Sequence, residues 1–305
     1  MKPNEIINKT VLLSALNWGM GHVARCIPII NQLHEQNNKL IIACSDKQEK
    51  IYRIYFPNLI YIKHEDFPFK FQGNGNFERD LSLNFIKLYK RFKSEKNDVE
   101  KITAKYLVDI IISDHRYSFF SKKCYSIFLT HQINLPVSWY MKWIDTLHKK
   151  MIHKFNFVWI LDNPDSKYAG NLSVNNTFNN SEYIGIQSRF SLYLKEEKTI
   201  PTVVIISGPE PYAELFFNLQ YKIALTKIDK TVFIIPKKYT LENECVTIEI
   251  IESDNWNQID SIILKAQKII SRSGYSTIMD LAFLETKSEL IPTPGQKEQE
   301  YLMKK

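Results

Sequence analysis

The sequence predicts an α/β protein of two doubly wound domains, and three observations lead there. Short apolar runs of strand length recur along the chain, helical patterns alternate with them, and the alternation restarts after Pro201. At 305 residues the chain accommodates two domains of about 150 residues each. A composition 44% hydrophobic and 13% aromatic supplies two cores and excludes a disordered chain.

Residues 10–16 form an apolar run suited to a buried parallel strand, ending in the turn Asn17-Trp18-Gly19-Met20-Gly21-His22. A helix with Ile27, Ile30, Leu33 and His34 along one face follows, and residues 39–44 make a second strand. This βαβ unit needs a right-handed crossover, which sets the glycine turn at the carboxyl edge of the sheet, where open α/β sheets bind ligands. Further strands are expected at 107–112, 126–129 and 157–161. Polar residues follow each: Ser113-Asp114-His115-Arg116, Thr130-His131-Gln132 and Asp162-Asn163. Residues 171–181, rich in Asn and Ser, read as a loop. The second series has strands at 202–206, 231–235, 246–250, 268–270 and 288–291. The expected organisation is an N-terminal Rossmann-like domain over 1–188, a linker over 189–200 and a C-terminal Rossmann-like domain over 201–305. The two are expected to face each other across a cleft.

Forty basic against 33 acidic residues leave a formal charge of +7, which suits an anionic partner such as a nucleotide, a nucleic acid or an anionic membrane. Cys26, Cys44, Cys124 and Cys245 are scattered without a CxxC pair, so they read as reduced, buried thiols of a cytoplasmic protein. The N-terminus lacks the apolar core of a signal peptide, and no apolar run reaches the length of a membrane span. The expected location is therefore the cytoplasm, either free or peripheral at the inner face of the membrane.

The most informative segment is 268–284. A strand ends near Ser271, a small-residue turn follows at Ser273-Gly274, and a helix starts close behind. Amides at a helix N-terminus favour bound phosphate, and a glycine lets the ligand approach the backbone. Asp280, about two turns into the helix, is placed to accept hydrogen bonds from ribose hydroxyls. The plain alternative is an ordinary Ser-Gly turn that starts a helix.

Arg272-Ser273-Gly274, Thr277 and Asp280, followed by Pro292 and the loop Pro294-Gly295-Gln296-Lys297-Glu298-Gln299, resemble a donor-binding signature. It is that of the family 28 type of GT-B glycosyltransferases, which includes the peptidoglycan enzyme that adds N-acetylglucosamine to lipid-linked muramyl pentapeptide. In that family the acidic residue, normally Glu, grips the ribose diol, and the Gln-rich loop contacts the donor sugar; here the acid is the shorter Asp280. Gly19-Met20-Gly21-His22 resembles the family's N-terminal glycine loop. Thr130-His131-Gln132-Ile133-Asn134 resembles its His-Glu-Gln-Asn segment, and Gly185 and Arg189 keep the spacing of its Gly-Asn-Pro-Val-Arg. Ser207-Gly208-Pro209-Glu210 occupies the place of a Gly-rich donor loop with a different sequence. The resemblance implies a UDP-sugar donor substrate with no cofactor, inversion at the anomeric carbon, and donor contacts from Gly21, Arg189, Gly208, Arg272, Ser273, Gly274, Thr277, Asp280, Gln296 and Gln299. It also implies a further βα segment after the Gln-rich loop, so a shortened C-terminal domain is expected.

No Asp-x-Asp pair occurs, so no dedicated metal clamp on the diphosphate is expected. Helix amides near Gly274 with Arg189 and Arg272 are the expected substitute. His22, with an ordinary imidazole pKa of about 6.5, is the expected base on the acceptor hydroxyl. Asp114, His115, His131 and Asn134 are acceptor-side candidates, the first three also as rival bases. Trp139, Trp143 and Leu147 fall on one helix face beside Lys142, Lys149, Lys150 and Lys154. The simpler expectation for them is an aromatic core stripe, and the alternative is peripheral contact with an anionic membrane carrying a lipid-linked acceptor. A second basic run, 87–96, reads as a solvated amphipathic helix. Neither run resembles a nucleic-acid module, so no nucleic-acid partner is expected. The expected partners are a nucleotide sugar and an unidentified glycan or lipid-linked acceptor. A sugar-nucleotide 2-epimerase of the same architecture and an inactive nucleotide-sugar-binding protein are the alternatives.

Overall fold

Strands buried on both faces carry unbroken apolar runs, and the central strands of this chain do so. The computed structural model describes residues 1–64, 77–237, 239, 245–253 and 255–304, the side chains of 77–86, 88 and 89 excepted. Described residues 1–64 and Glu78–Arg189 cluster as one compact unit, and those from Phe190 onward as a second.

The first unit runs β1 (Thr10–Ala15), α1 (Met20–Glu35), β2 (Lys39–Cys44), α2 (Asp46–Tyr55), β3 (Ile60–Lys63) and α3 (Phe77–Tyr106). It continues with β4 (Ile110–Asp114), β5 (Tyr125–Thr130), α4 (Lys142–Ile152), β6 (Phe157–Ile160) and β7 (Ser181–Tyr183). Its seven strands are ordered β3-β2-β1-β4-β5-β6-β7, and every pairing is parallel. Strand order therefore reverses between β1 and β4, whose ends are in register at Ala15 and Asp114. Leu12, Ile41, Val99, Ile111 and Phe119 form one core cluster, joining α3 to the sheet. On α1, Ile27, Ile30 and Leu33 are buried as expected, whereas His34 is exposed.

The second unit runs β8 (Ile200–Ile205), α5 (Tyr212–Ala224), β9 (Thr231–Ile235), β10 (Ile248–Glu252) and α6 (Trp256–Leu264). Then follow β11 (Ala266–Arg272), α7 (Tyr275–Leu284), β12 (Lys287–Ile291) and α8 (Lys297–Lys304). Its five parallel strands are ordered β10-β9-β8-β11-β12, so the reversal lies between β8 and β11. In open α/β sheets ligands bind outside the carboxyl ends of the strands at such a reversal. The two reversals thus single out the segments after β1 and β4 and those after β8 and β11.

Three differences from the sequence reading have local causes. The strand expected at 107–112 begins at Ile110, because Leu107 adopts φ +52° in an exposed turn. The edge strands β3 and β7 escaped the pattern because they are short and only partly buried. The basic run at 87–96 is not simply solvated: Arg91 and Glu95 are buried, and Glu95 accepts from Arg116 Nε at 2.8 Å. Of the cysteines, Cys26 and Cys44 are buried and Cys124 and Cys245 partly so, all with free thiols. Among the described residues no helix is long and apolar enough to cross a membrane.

Candidate functional site

At the first reversal the loop after β1 delivers His22 on the first turn of α1, and β4 ends on Asp114. Asp114 has no exposed surface. His22 Nδ1 lies 2.8 Å from Asp114 Oδ2, while the His22 side chain keeps 20% of its surface open. One helical turn beyond His22, Arg25 grips the same carboxylate with Nε at 3.0 Å from Oδ2 and with Nη2 against Oδ1. Arg25 Nη2 also stands 2.8 Å from His22 Nδ1, and its Nη1 3.2 Å from His131 Nδ1. His115 closes the group, its ring centroid 5.7 Å from that of His22 and 5.8 Å from that of His131. Thr130 Oγ1 holds His115 Nε2 at 2.6 Å.

Electrostatics follow from this packing. Burial by itself would raise the Asp114 pKa, but the charge of Arg25 and the contact with His22 override it and hold the carboxyl far below the usual range. His22 lies below its ordinary value of 6.5, first because burial strips the imidazolium of water and then because Arg25 repels it. His115 is lowered further by the same causes in the same order.

His115 itself has φ +55°, a left-handed backbone that a non-glycine residue rarely adopts. Along β4, Ile111 packs on the α3 side, so strand alternation turns Asp114 to the α1 side. Unbroken alternation would send Arg116 there as well. The left-handed step at His115 redirects it to Glu95 of α3, and Ser113 Oγ fastens the bend by donating to Arg116 O at 2.7 Å. Two ion pairs, Asp114 with Arg25 and Arg116 with Glu95, are thereby sorted to opposite sides of one strand end.

Asn134 stands apart from this cluster. Its side-chain nitrogen donates to Asn171 O and Val174 O, both at 2.8 Å, and its oxygen accepts from Lys149, so it fastens a loop. Gly21 is in the first turn of α1, and Arg189 is buried at the end of the first unit. Trp139, Trp143 and Leu147 are 82%, 61% and 45% exposed, which overturns the core-stripe expectation.

The second reversal gathers the remaining candidates. Arg272, the last residue of β11, is buried against the face of Phe216, with its guanidinium carbon 4.3 Å from the ring centroid. It donates to Pro292 O and Tyr212 O, both at 2.9 Å, and so ties β11 to the segment after β12 and to the start of α5. Ser273 is fully buried and donates to Gln299 O at 3.3 Å. Gly274 is the N-cap of α7 and makes no side-chain cap; the first turn carries no acid. Its φ of −67° suits any residue, and an added Cβ would meet nothing nearer than Thr277 Oγ1 at 3.9 Å. Thr277 and Asp280 lie partly buried on α7. Gly208, in the turn after β8, has φ +108°, and an added Cβ would stand 3.6 Å from Thr293 Oγ1. Gln299 Oε1 accepts from Thr293 N at 2.8 Å, and Gln299 Nε2 donates to Gln296 Oε1. Among the described residues, Ser271 Oγ, Arg272 Nε and Thr293 Oγ1 are buried without a hydrogen-bond partner.

The structure brings His22, on the first turn of α1 after β1, together with Asp114, His115 and His131 at the ends of β4 and β5. Arg25 was missed. Its signal was a charged residue inside the apolar stretch Val23 to Ile27, every residue of which is buried. Among the described residues no group of three or more His, Cys, Asp and Glu side chains is arranged to hold a metal ion.

No family model matches the chain, and no curated protein matches it. Solved structures do. Arabidopsis thaliana UGT89C1 complexed with UDP-L-rhamnose superposes with a TM-score of 0.65 at 11% identity, over 98% of this chain and 83% of that one. A glycotransferase of kitacinnamycin gives 0.62 at 10%, over 98% and 85%. MurG of Acinetobacter baumannii gives 0.53 at 13%, over 97% and 82%. The spinosyn rhamnosyltransferase SpnG complexed with thymidine diphosphate gives 0.59 at 10%, over 97% and 84%. With both parallel sheets and these neighbours along nearly its whole length, the chain has the GT-B fold.

Proposed function

We propose that this chain is a glycosyltransferase. It moves a hexosyl or N-acetylhexosaminyl group from a nucleotide sugar, UDP being the expected nucleotide, to an acceptor hydroxyl, with inversion and without a metal. The observation that carries the reading is the start of α7 at the second sheet reversal. Its N-cap is Gly274, which brings no side-chain cap to the helix end, and neither its backbone angle nor its neighbouring atoms require a glycine there. A site for diphosphate accounts for both features, since the helix end supplies donors and positive potential and the missing Cβ leaves room for the ligand. Thr277 and Asp280 continue from this end toward the ribose. Gln296 and Gln299 are the donor-sugar contacts, exchanging their mutual hydrogen bond for the sugar hydroxyls. Arg272 acts as a brace for the site, its terminal nitrogens engaged on two carbonyls.

His22 is the base. Asp114 engages Nδ1 and leaves Nε2 as the nitrogen that takes the acceptor proton. The hydroxyl oxygen attacks the anomeric carbon as its proton passes to Nε2, the bond to the diphosphate breaks, and the nucleotide diphosphate leaves with the electron pair. The nucleotide diphosphates held by two of the structural neighbours support the donor class. The exposed Trp139 just before α4 and Trp143 and Leu147 on it, flanked by lysines, support an acceptor presented at an anionic membrane surface.

Incubation with nucleotide sugars and candidate acceptors, followed by mass spectrometry of the products, tests the proposal. Wild-type protein should form glycosylated acceptor, and His22→Ala should lower kcat by about two to four orders of magnitude. Formation of the 2-epimer without transfer would establish the epimerase instead. Transfer by His22→Ala at the wild-type rate would remove His22 from its role.

A further inference from the structure

Asp114 is a fully buried carboxylate with two cationic candidates beside it, His22 and Arg25. A buried negative charge needs a positive partner. If His22 were that partner it would be an imidazolium, and its proton would already occupy the position that the acceptor proton must take. The geometry shows which residue meets the demand. Arg25 is itself only 2% exposed, and its planar fork reaches both carboxylate oxygens, whereas His22 reaches one and keeps part of its ring at the surface. A two-point guanidinium–carboxylate contact is the stronger pairing. We infer that Arg25 is a positioning residue of the catalytic site: it neutralises Asp114, so that His22 is oriented by the carboxylate yet remains an unprotonated base.

This inference rests on the reading of His22 as the base, but its physical content is separable from it. The groups facing His22 are Arg25 from α1, Asp114 and His115 from the end of β4, and His131 from the end of β5, while Cys26 of α1 contacts Asp114. Only Arg25 and Asp114 carry permanent charge, and they cancel. Arg25 also stands 2.8 Å from His22 Nδ1. An imidazolium there would place two cations in contact; in the neutral ring Nδ1–H donates to Asp114 Oδ2, Nε2 is left unprotonated, and the Arg25 guanidinium serves the carboxylate and not the imidazole. The lowered His22 pKa agrees in direction.

The test follows His22 itself, by heteronuclear NMR of ring-labelled protein across pH, alongside the pH profile of kcat/KM. In wild-type protein the His22 midpoint should lie below 6.5, and a midpoint at or above that value overturns the inference without any variant. Arg25→Met removes the positive charge, and the His22 midpoint should rise by about one unit or more, tenfold in proton affinity per unit. Activity should then be lost mainly on the acid side and recover as pH rises past the new midpoint. The double variant Arg25→Met/Asp114→Asn leaves no unpaired buried charge beside His22, so it folds even where the single variant does not, and its midpoint should fall back below that of Arg25→Met or below 6.5. An unchanged midpoint in folded Arg25→Met, or a loss of rate equal at all pH values, would reduce Arg25 to a structural part. Failure of the base reading gives a different result: His22→Ala keeps its activity while the His22 midpoint still responds to Arg25.

Discussion

Gly208 and Gly274 both sit beside the second sheet reversal, and single substitutions there separate conformational need from ligand space. Gly208, at φ +108°, occupies backbone that a Cβ disfavours. Gly208→Ala should lower stability by about 1–2 kcal/mol in urea unfolding. Gly274, at φ −67°, faces no such constraint. Gly274→Ser adds a good N-cap residue and should leave stability unchanged or slightly raised, yet weaken nucleotide-sugar binding by about tenfold or more. If Gly274→Ser stabilises the protein and binds the donor as before, the turn is only the start of a helix. Asp280 and Arg272 were legible beside it as parts of a motif, but the sequence could not say that Arg272 spends its hydrogen bonds on Pro292 and Tyr212. Those partners lie 20 and 60 residues away. Arg25 was hidden for the same reason: a lone arginine in a helix reads as solvated until Asp114, 89 residues on, is brought beside it.

Among the elements, α4 carries two testable features. On its buried side His148 Nε2 donates to Gln132 O and Nδ1 accepts from Tyr117 Oη, both at 2.8 Å, so the neutral ring is fully satisfied. Burial lowers its pKa from 6.5 to about 4. The unfolded chain takes up a proton as pH falls through 6.5, whereas the native state resists until near 4. Stability is therefore intact above 6.5 and declines below it, by about 2 kcal/mol at pH 5 from this residue. In urea unfolding at pH 7.5 and pH 5, the stability difference between wild type and His148→Gln should shrink by that amount on acidification; a constant difference would show that His148 stays protonated or exposed. On the outer side, Trp143, with Trp139 just before the helix and the neighbouring lysines, should bind vesicles rich in anionic lipid and ignore neutral ones. Trp139→Ser/Trp143→Ser should release the protein, as read by co-sedimentation. Sequence pattern identified the central strands because both faces are apolar, and it missed β3 and β7 because half-buried edges carry no such run. It read Trp139, Trp143 and Leu147 as one helix face, but only Trp143 and Leu147 lie on α4 while Trp139 precedes it in a 3-10 turn, and periodicity cannot say whether an apolar face meets a core or solvent.

For the molecule as a whole, both sheets reverse strand order, and each reversal holds one half of the proposed chemistry: the His22–Asp114–Arg25 group in the first unit and the start of α7 in the second. The central claim is that the second unit binds a nucleotide sugar through the Gly274 turn and Asp280. A ligand that binds only the folded state raises the melting temperature in proportion to the logarithm of its concentration over its Kd. The most direct test is a thermal-shift titration of wild type and Asp280→Ala with a panel of nucleotide diphosphate sugars. At about a hundredfold excess over Kd, binding is worth about 2.7 kcal/mol, a shift of several degrees. One nucleotide sugar should produce that shift in wild type, and Asp280→Ala should lose most of it. The absence of any stabilising nucleotide sugar, or an undiminished shift in Asp280→Ala, would contradict the account.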